Sequence, residues 1–166
     1  MTTIREATRD DVRLMLAFVR ELAAYERAPD AVKLTEAELA RDGFPPPGQL
    51  RYFEALIAED GDLPAGFALF HPVYSTWRGR AMHLEDLFVR PAFRGRGIGR
   101  ALLEKVAAVA LERGCVILYW HVLDWNSPAI DFYKTLGAEP LDDWTRMRVS
   151  DEALRKLAAG ALSEAK

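Results

Sequence analysis

The chain has 166 residues, of which 50% are hydrophobic, and this is enough for one domain with one substantial core. Its net charge of −3 excludes a generally basic nucleic-acid-binding surface, and its single cysteine excludes an internal disulfide. No apolar run approaches the roughly 18 residues of a membrane span. We therefore expect a single domain over residues 1–166 that is cytoplasmic and binds neither membrane nor nucleic acid.

The N-terminal half predicts a strand, two helices and an antiparallel hairpin. Thr3–Ala7 is typical of an edge strand, and a capping pattern at Thr8 and Asp11 precedes a helix that runs to about Tyr25. Thr35 caps a second, shorter helix. The strands that follow are predicted at residues 52–59, 65–73 and 80–89, and the first two of them form the hairpin.

The C-terminal half alternates helices and strands. The predicted elements are a helix over about 99–113, a buried strand over 116–122, a helix capped by Asn126 with Pro128 in its first turn, a late strand position at Val149 and a helix over 151–162. The complete order predicts an α/β fold in which helices flank a mixed, mainly antiparallel sheet.

The stretch from Leu84 to Leu103 combines an apolar run, a glycine-rich turn and the start of an amphipathic helix. The turn contains Gly95, Gly97 and Gly99, set among arginines. Glycines let a backbone turn its N–H groups inward, and the helix that follows adds the positive end of its dipole. The stretch therefore predicts an anion-binding loop.

The spacing of this loop distinguishes between three kinds of phosphate site. A Walker A loop needs Lys followed by Ser or Thr after its last glycine, whereas Arg100 followed by alanine stands there. A dinucleotide fingerprint would place its third small residue on Leu102, and the acidic residue that should follow is missing. The remaining pattern, Arg94-x-x-Gly97-x-Gly99, resembles the pyrophosphate-binding motif of the GNAT acetyltransferase superfamily. An isolated match of this length fits a solvated turn equally well.

A second segment strengthens this resemblance. The run from Asn126 to Gly137 follows a strand, helix, strand unit and looks like the superfamily's second cofactor segment. The groups Tyr25-Glu26, Leu84-Glu85-Asp86 and Phe132-Tyr133-Lys134 are similar to the diamine (spermidine/spermine) and thialysine N-acetyltransferase subfamily, over nearly the whole chain. The resemblance implies an acetyl-CoA-dependent enzyme in which the primary amine of a small polyamine, diamine or thialysine-like substrate attacks the acetyl group directly. It also implies a homodimer, in which a late strand near residues 146–149 pairs across the twofold axis.

The resemblance also associates individual residues with the two ligands. The positions associated with acetyl-CoA are Leu87, Phe88, Val89, Arg94, Gly95, Arg96, Gly97, Ile98, Gly99, Arg100, Asn126, Pro128, Ala129, Tyr133 and Lys134. The positions associated with the amine are Tyr25, Glu26, Glu85 and Asp142. Asp86 is added from its place beside Glu85 in the strand, as a structural or second acidic contact.

Direct attack by an amine creates two proton transfers, because the ammonium group must lose a proton and the departing thiolate gains one. The resemblance makes Tyr133 the general acid, whereas helical periodicity alone favours a core tyrosine. Glu85 and Asp86 lie within an apolar strand, where a carboxylate is costly unless it is paired or used. Alternation places them on opposite faces, with Glu85 as the amine contact or base. Ion pairs with nearby arginines are the alternative, which we favour for Asp86.

Two functional alternatives use the same motifs. A non-catalytic acyl-CoA-binding module would hold the ligand with the same loop, and another GNAT enzyme would accept a different amine. The three histidines, at positions 71, 83 and 121, have no metal-ligand spacing, so no metal site is predicted. Cys115 has no activating partner in the sequence and is predicted to be a small core residue.

Overall fold

The computed structural model describes residues 1–160, and five strands and five α-helices make up most of it. The strands are β1 Thr2–Glu6, β2 Glu54–Asp60, β3 Leu63–Ser75, β4 Gly79–Val89 and β5 Ile117–Trp120. The helices are α1 Val12–Tyr25, α2 Glu36–Gly43, α3 Ile98–Glu112, α4 Ser127–Lys134 and α5 Asp151–Ala158. The chain divides into two compact units, of which the first ends at Leu123 and the second begins at Asp124. No helix within residues 1–160 is both long and apolar enough to cross a membrane.

All five strands belong to one sheet in the order β1-β2-β3-β4-β5. The pairs from β1 to β4 are antiparallel, and β5 pairs with β4 in parallel. This arrangement confirms the predicted mixed, mainly antiparallel α/β fold.

Helix α1 packs on one face of the sheet, which we call the α1 face. The Phe18 ring stacks on Phe67 of β3 with 5.2 Å between ring centroids, and it lies 6.2 Å from Phe88 of β4. Met15, one helical turn before Phe18, is fully buried in the same cluster. The apolar positions of α1 therefore recur at the helical period because they face this sheet, and buried aromatic contacts of this kind dominate core energetics.

The two predicted helix starts are confirmed by their capping contacts. The backbone N–H of Thr8 donates to the Asp11 carboxylate at 2.7 Å, and Arg5 holds the same carboxylate at 2.7 and 2.8 Å. At α2, the Glu38 backbone N–H donates to Thr35 Oγ1, and Glu38 in turn accepts from the Thr35 backbone N–H. Each capping pair satisfies backbone donors that a helix start leaves open.

An extra residue interrupts β4 where it pairs with β3. Phe70 lies opposite Leu84 and Leu69 lies opposite Asp86, so Glu85 has no partner on β3 and forms a β-bulge. Residues directly opposite each other share a face of the sheet, which places Asp86 on the α1 face with Leu69. Glu85 Oε2 lies 3.6 Å from His71, which is two positions after Leu69 on β3 and shares its face. The prediction that Glu85 and Asp86 lie on opposite faces is therefore wrong, because simple alternation assumes an unbroken strand.

The edge of β4 that faces β5 is only partly covered. The parallel pairing runs from Ala81 opposite Ile117 to Leu84 opposite Trp120, where β5 ends. Within the described residues, no strand continues this pairing along β4 from Glu85 to Val89. On that side, directly before the glycine-rich loop, the main chain of the segment has no strand partner in the described part of the chain, and the Val89 carbonyl accepts from Arg94 Nε instead.

The second unit contains α4 and α5. Helix α4 ends near Gly137, whose φ of 85° suits glycine, as predicted. The late strand predicted near Val149 is wrong, because the described segment 138–150 contains no strand and Val149 is half exposed there. Helix α5 confirms the start of the predicted C-terminal helix, whose last two predicted residues, 161 and 162, lie outside the described residues.

Candidate active site

The glycine-rich loop turns from β4 into α3 through two left-handed residues. Gly95 has a φ of 73°, and Gly97, which is the N-cap residue of α3, has a φ of 81°. Among the described residues, no N–H group from Gly95 to Arg100 donates to a backbone carbonyl outside the helix itself. Six consecutive donors beside the positive end of a 15-residue helix form a site suited to a phosphate or pyrophosphate group.

Arg94 anchors this loop to the end of the strand before it. Its Nε donates to the carbonyl oxygen of Val89 at 2.9 Å. Its guanidinium carbon lies 4.7 Å from the centre of the Tyr25 ring and 5.8 Å from that of Phe88. Arg94 thus connects the loop to the end of α1, and a cation stacked on an aromatic face is favourably placed.

The other two loop arginines each have an acidic neighbour. Arg96 pairs with Asp60 at 2.9 Å, which ties the loop to the end of β2. Arg100 lies 3.9 Å from Glu104, one turn further along α3. Both pairs are exposed and contribute little to stability. Each of these two side chains thus has a carboxylate neighbour, whereas the loop N–H groups have no backbone acceptor outside the helix among the described residues.

Three carboxyl groups of the first unit act on one another electrostatically. Burial, together with the charges of Glu85 and Glu26, raises the pKa of Asp86 to about 7. Burial also raises the pKa of Glu26, which lies at the end of α1. Among the described residues, no arginine or lysine pairs with Asp86, so the ion pair that the sequence favoured for it is wrong. The bulge and the end of α1 bring these acids together on the α1 face.

Glu85 contacts histidines instead of arginines. Its Oε2 lies 3.4 Å from His83 Nε2 and 3.6 Å from His71 Nε2. The His121 ring, just beyond β5, lies 5.0 Å from the His83 ring. Sequence reasoning missed this cluster because ligand spacing along the chain does not show cross-strand pairs. The signal was present, since His71 and His83 lie directly opposite each other in the predicted antiparallel strands.

The remaining predicted site residues belong to the second unit. Tyr133 is partly buried on α4, and its ring lies 5.3 Å from that of Phe132. Asn126 is buried at the N-cap position of α4, with Pro128 in the first turn, as predicted. Its backbone carbonyl accepts from the N–H groups of Ala129 and Ile130, and its side chain makes no capping hydrogen bond within the described residues. Pro128, Ala129 and Lys134 lie on α4, and Asp142 is exposed in the loop after it.

We expect Gly97→Val to abolish or strongly weaken the binding of pyrophosphate at this loop while the fold persists. The protein leaves open space around a side chain at this position, but the φ of 81° strains any L-residue, and a β-branched one most. The new side chain would also shield the N–H donors. Gly48→Val is the matched control, because Gly48 has a φ of 87°, open surroundings and no place in the loop. Equal pyrophosphate affinity of the two variants by calorimetry would contradict the prediction.

The first unit thus contains a loop suited to an anion and a group of carboxyl groups that act on one another, and comparison with known proteins gives the class of enzyme. The chain belongs to the GNAT acetyltransferase family, whose sequence model matches residues 16–138. It is therefore an N-acetyltransferase, an enzyme that transfers an acetyl group to an amine.

Curated relatives and solved structures agree with this family. A thialysine N-epsilon-acetyltransferase from Sus scrofa is 44% identical, over 93% of this chain and 96% of its own length. A thialysine N-epsilon-acetyltransferase from Caenorhabditis elegans is 36% identical, over 91% of this chain and 93% of its own length. Among solved structures, an integron cassette protein from the mobile metagenome of V. cholerae is similar, with a TM-score of 0.75 and 27% identity over 95% of this chain and 97% of that one.

Proposed function

We propose that this enzyme uses acetyl-CoA to acetylate a primary amine of a small substrate that carries further positive charge, of the thialysine or diamine class. The observation that carries the proposal is the meeting of Glu26, Glu85 and Asp86 on the α1 face, with no arginine or lysine neutralising Asp86 among the described residues. Negative charge gathered at one place attracts ammonium groups and discriminates against acidic acceptors. The thialysine N-epsilon-acetyltransferases that this chain resembles support the same class.

The chain's own residues fit acetyl-CoA in two places. The backbone donors from Gly95 to Arg100 suit the pyrophosphate, and the open edge of β4 at Leu87, Phe88 and Val89 suits an extended arm with amide groups, as an added strand would. Acetyl-CoA, when bound, supplies an acetyl group already activated as a thioester. The protein therefore needs no nucleophile of its own, and its work is to bind, orient and move protons.

The α1-face acids orient the amine and receive its proton. We assign Glu85 to the reacting amine, because the bulge turns this half-exposed carboxylate away from the strand pairing. Glu26 supplies further negative charge for the rest of a cationic substrate. Asp86, with a pKa of about 7, adds a partly ionised carboxyl that a neighbouring ammonium group would help to ionise. Tyr25 comes directly before Glu26 at the end of α1 and contacts Arg94. Asp142 is proposed as an amine contact on the resemblance alone.

For the second unit, the proposal rests on resemblance. Tyr133 is the proposed acid that protonates the departing thiolate, and Asn126, Pro128, Ala129 and Lys134 are proposed contacts of the cofactor. The family match spans residues 16–138 and so covers parts of both units, which supports our proposal that residues 1–166 work as one acetyltransferase domain.

Acetyl-CoA turnover with a panel of amines tests the function. We expect thiol release with thialysine, spermidine or short diamines, and little with acidic or neutral amines of the same length. Acetyl-CoA binding without turnover on any amine would identify a binding module. Turnover confined to acidic or neutral amines would leave the acetyltransferase in place and refute the proposed substrate class.

Glu85→Gln and Glu26→Gln should each lower kcat/KM for the cationic amine and leave acetyl-CoA affinity unchanged. Each substitution keeps the shape of the side chain and removes one negative charge, and a pair of charges near a protein surface interacts by up to about 4 kcal/mol at 4 Å. Glu112→Gln is the matched control, since Glu112 is exposed at the end of α3. Added salt should raise the KM of the wild-type enzyme for the amine, because salt screens the attraction between the amine and the carboxylates. Wild-type kinetics in both site variants would contradict the assignment.

We also propose a homodimer and a cytoplasmic location. The late strand that was expected to join two subunits is absent from the described segment 138–150, but several apolar side chains are exposed in this part of the chain, as is common at interfaces. They are Leu141, Trp144, Met147 and Val149. A monomeric mass by light scattering at micromolar protein would refute the dimer. The single, unpaired and buried Cys115 agrees with a reducing compartment.

A further inference from the structure

Three side chains on the α1 face point their metal-ligating atoms at one another. One nitrogen from each of His71 and His83 and one oxygen of Glu85 all lie within 4.8 Å of each other. Glu85 Oε2 lies 3.4 Å from His83 Nε2 and 3.6 Å from His71 Nε2. Two imidazoles and one carboxylate are a donor set that zinc and other divalent transition metals prefer.

These separations are close to those of bound ligands. Zinc bonds of about 2.0 to 2.2 Å at tetrahedral angles put neighbouring ligand atoms roughly 3.3 to 3.6 Å apart. The two distances to Glu85 Oε2 already lie at this spacing. The two histidine nitrogens lie within 4.8 Å of each other, so side-chain rotations that bring them to the same spacing would complete the set.

The backbone holds the three residues in register. His71 and His83 are directly opposite each other on β3 and β4, deep within the longest strand pair of the sheet. Glu85 is the bulge residue two positions after His83, and the bulge directs it back toward the two rings. Ligands on rigid strands lose little conformational freedom when an ion binds.

A backbone carbonyl lies behind the His71 ring. Its Nδ1 is 3.4 Å from the carbonyl oxygen of Pro72, which can accept a hydrogen bond from Nδ1–H when Nε2 binds a metal ion. The Nε2 atom faces Glu85. A backbone carbonyl behind the second ring nitrogen is the usual partner of a metal-ligating histidine.

The histidine side of the cluster is more buried than the glutamate side. The His83 side chain is 12% exposed, whereas that of Glu85 is 50% exposed. An ion held here would be shielded on the histidine side and reachable by water from the glutamate side. Three protein ligands with an open fourth position are the arrangement of an exchangeable or catalytic zinc site, as opposed to a closed structural one.

We propose that His71, His83 and Glu85 form a binding site for a divalent transition-metal ion of the zinc class. This metal site does not depend on which amine the enzyme acetylates. If Glu85 also binds the amine, as proposed above, the ion and the amine compete for its carboxylate. Zinc then inhibits acetyl transfer, and added amine relieves the inhibition.

The test is a titration of the purified, untagged and metal-free chain with ZnCl₂. Calorimetry measures the binding, and neither acetyl-CoA nor amine is present. We expect one saturable equivalent per chain. His71→Ala and His83→Ala should each weaken it at least about 100-fold, since even loss of a partner behind a ligand weakens binding roughly 10- to 100-fold. Titration with Co²⁺ should give visible d–d absorption that both variants lose.

His121→Gln is the matched control, because His121 lies beside His83 on the same face but outside the three-ligand set. It should retain wild-type zinc affinity, and circular dichroism should show every variant folded. His71→Gln and His83→Gln provide gentler variants if either alanine variant fails to fold. Absent zinc binding, or equal binding by the wild type and both histidine-site variants, would overturn the proposal. A loss with His121→Gln as large as with His71→Ala would overturn it too, and none of these results depends on the amine specificity.

Discussion

Tyr133→Phe is expected to lower the rate of acetyl transfer about 100-fold or more, with acetyl-CoA affinity nearly unchanged. The substitution removes only the hydroxyl and keeps the ring that lies beside Phe132 on α4. If Tyr133 is the acid that protonates the departing thiolate, the loss should appear in kcat, since general acid catalysis typically contributes 10²- to 10⁴-fold. Steady-state kinetics at saturating amine, together with calorimetry of acetyl-CoA binding, measure the two effects separately.

The matched control removes a hydroxyl from a tyrosine outside the proposed site. Tyr74 is largely exposed near the end of β3, so Tyr74→Phe should keep the wild-type rate. An unchanged rate in Tyr133→Phe would show that the Tyr133 hydroxyl is not the general acid. Tyr133 would then be a packing residue, which helical periodicity alone favours. Equal losses of rate and of acetyl-CoA affinity would indicate a binding role.

Asp86 should make the protein less stable as the pH rises from about 4 to 7. Its pKa is raised from 3.8 to about 7 by burial and by the charges of Glu85 and Glu26. Below pH 4 the carboxyl is protonated in the folded and unfolded chain alike. Between these values the unfolded chain releases the proton while the folded chain keeps it, so the free energy of unfolding falls by about 1.4 kcal/mol per pH unit and by up to about 4 kcal/mol in total.

Asp86→Asn should remove this part of the pH dependence. Denaturant unfolding at pH 4, 5.5, 7 and 8 in the presence of a chelator measures the slope, and above pH 7 the variant should be the more stable protein. The amide is left without a described partner, which offsets part of the gain by about 1 to 3 kcal/mol, so the slope is the sharper test. Asp143→Asn, in an exposed loop, should keep the wild-type slope. Identical slopes in all three proteins would refute the raised pKa.

Elements with strong local signals could be predicted from the sequence. Helix α1 has an apolar stripe with a capping pair before it, and α3 follows two glycines whose positive φ angles the motif requires. These features depend on neighbours within a few positions, so residue order alone reveals them. The anion-binding loop belongs to the same class, since the strand, turn and helix that form it are consecutive.

Features that depend on strand register could not be predicted in the same way. Nothing in the run from Leu84 to Val89 marks Glu85 as a bulge, because the extra residue is defined by its missing partner on β3. The histidine cluster has the same origin, as His71 and His83 meet only across strands. The strand predicted at Val149 is wrong for another reason. A β-branched residue belongs to a strand only where another strand pairs with it, and the described segment 138–150 contains no strand.

The bulge has a consequence for the length of the chain. Because Leu84 and Asp86 pair with consecutive residues of β3, a chain with one residue fewer at position 85 would keep every other pairing partner along β4. Asp86 and Phe88 would still share the α1 face, and the glycine-rich loop would start from the same place. The strand pairing does not depend on Glu85. The identity of the residue at this position is therefore constrained by the ligands that it contacts more than by the fold.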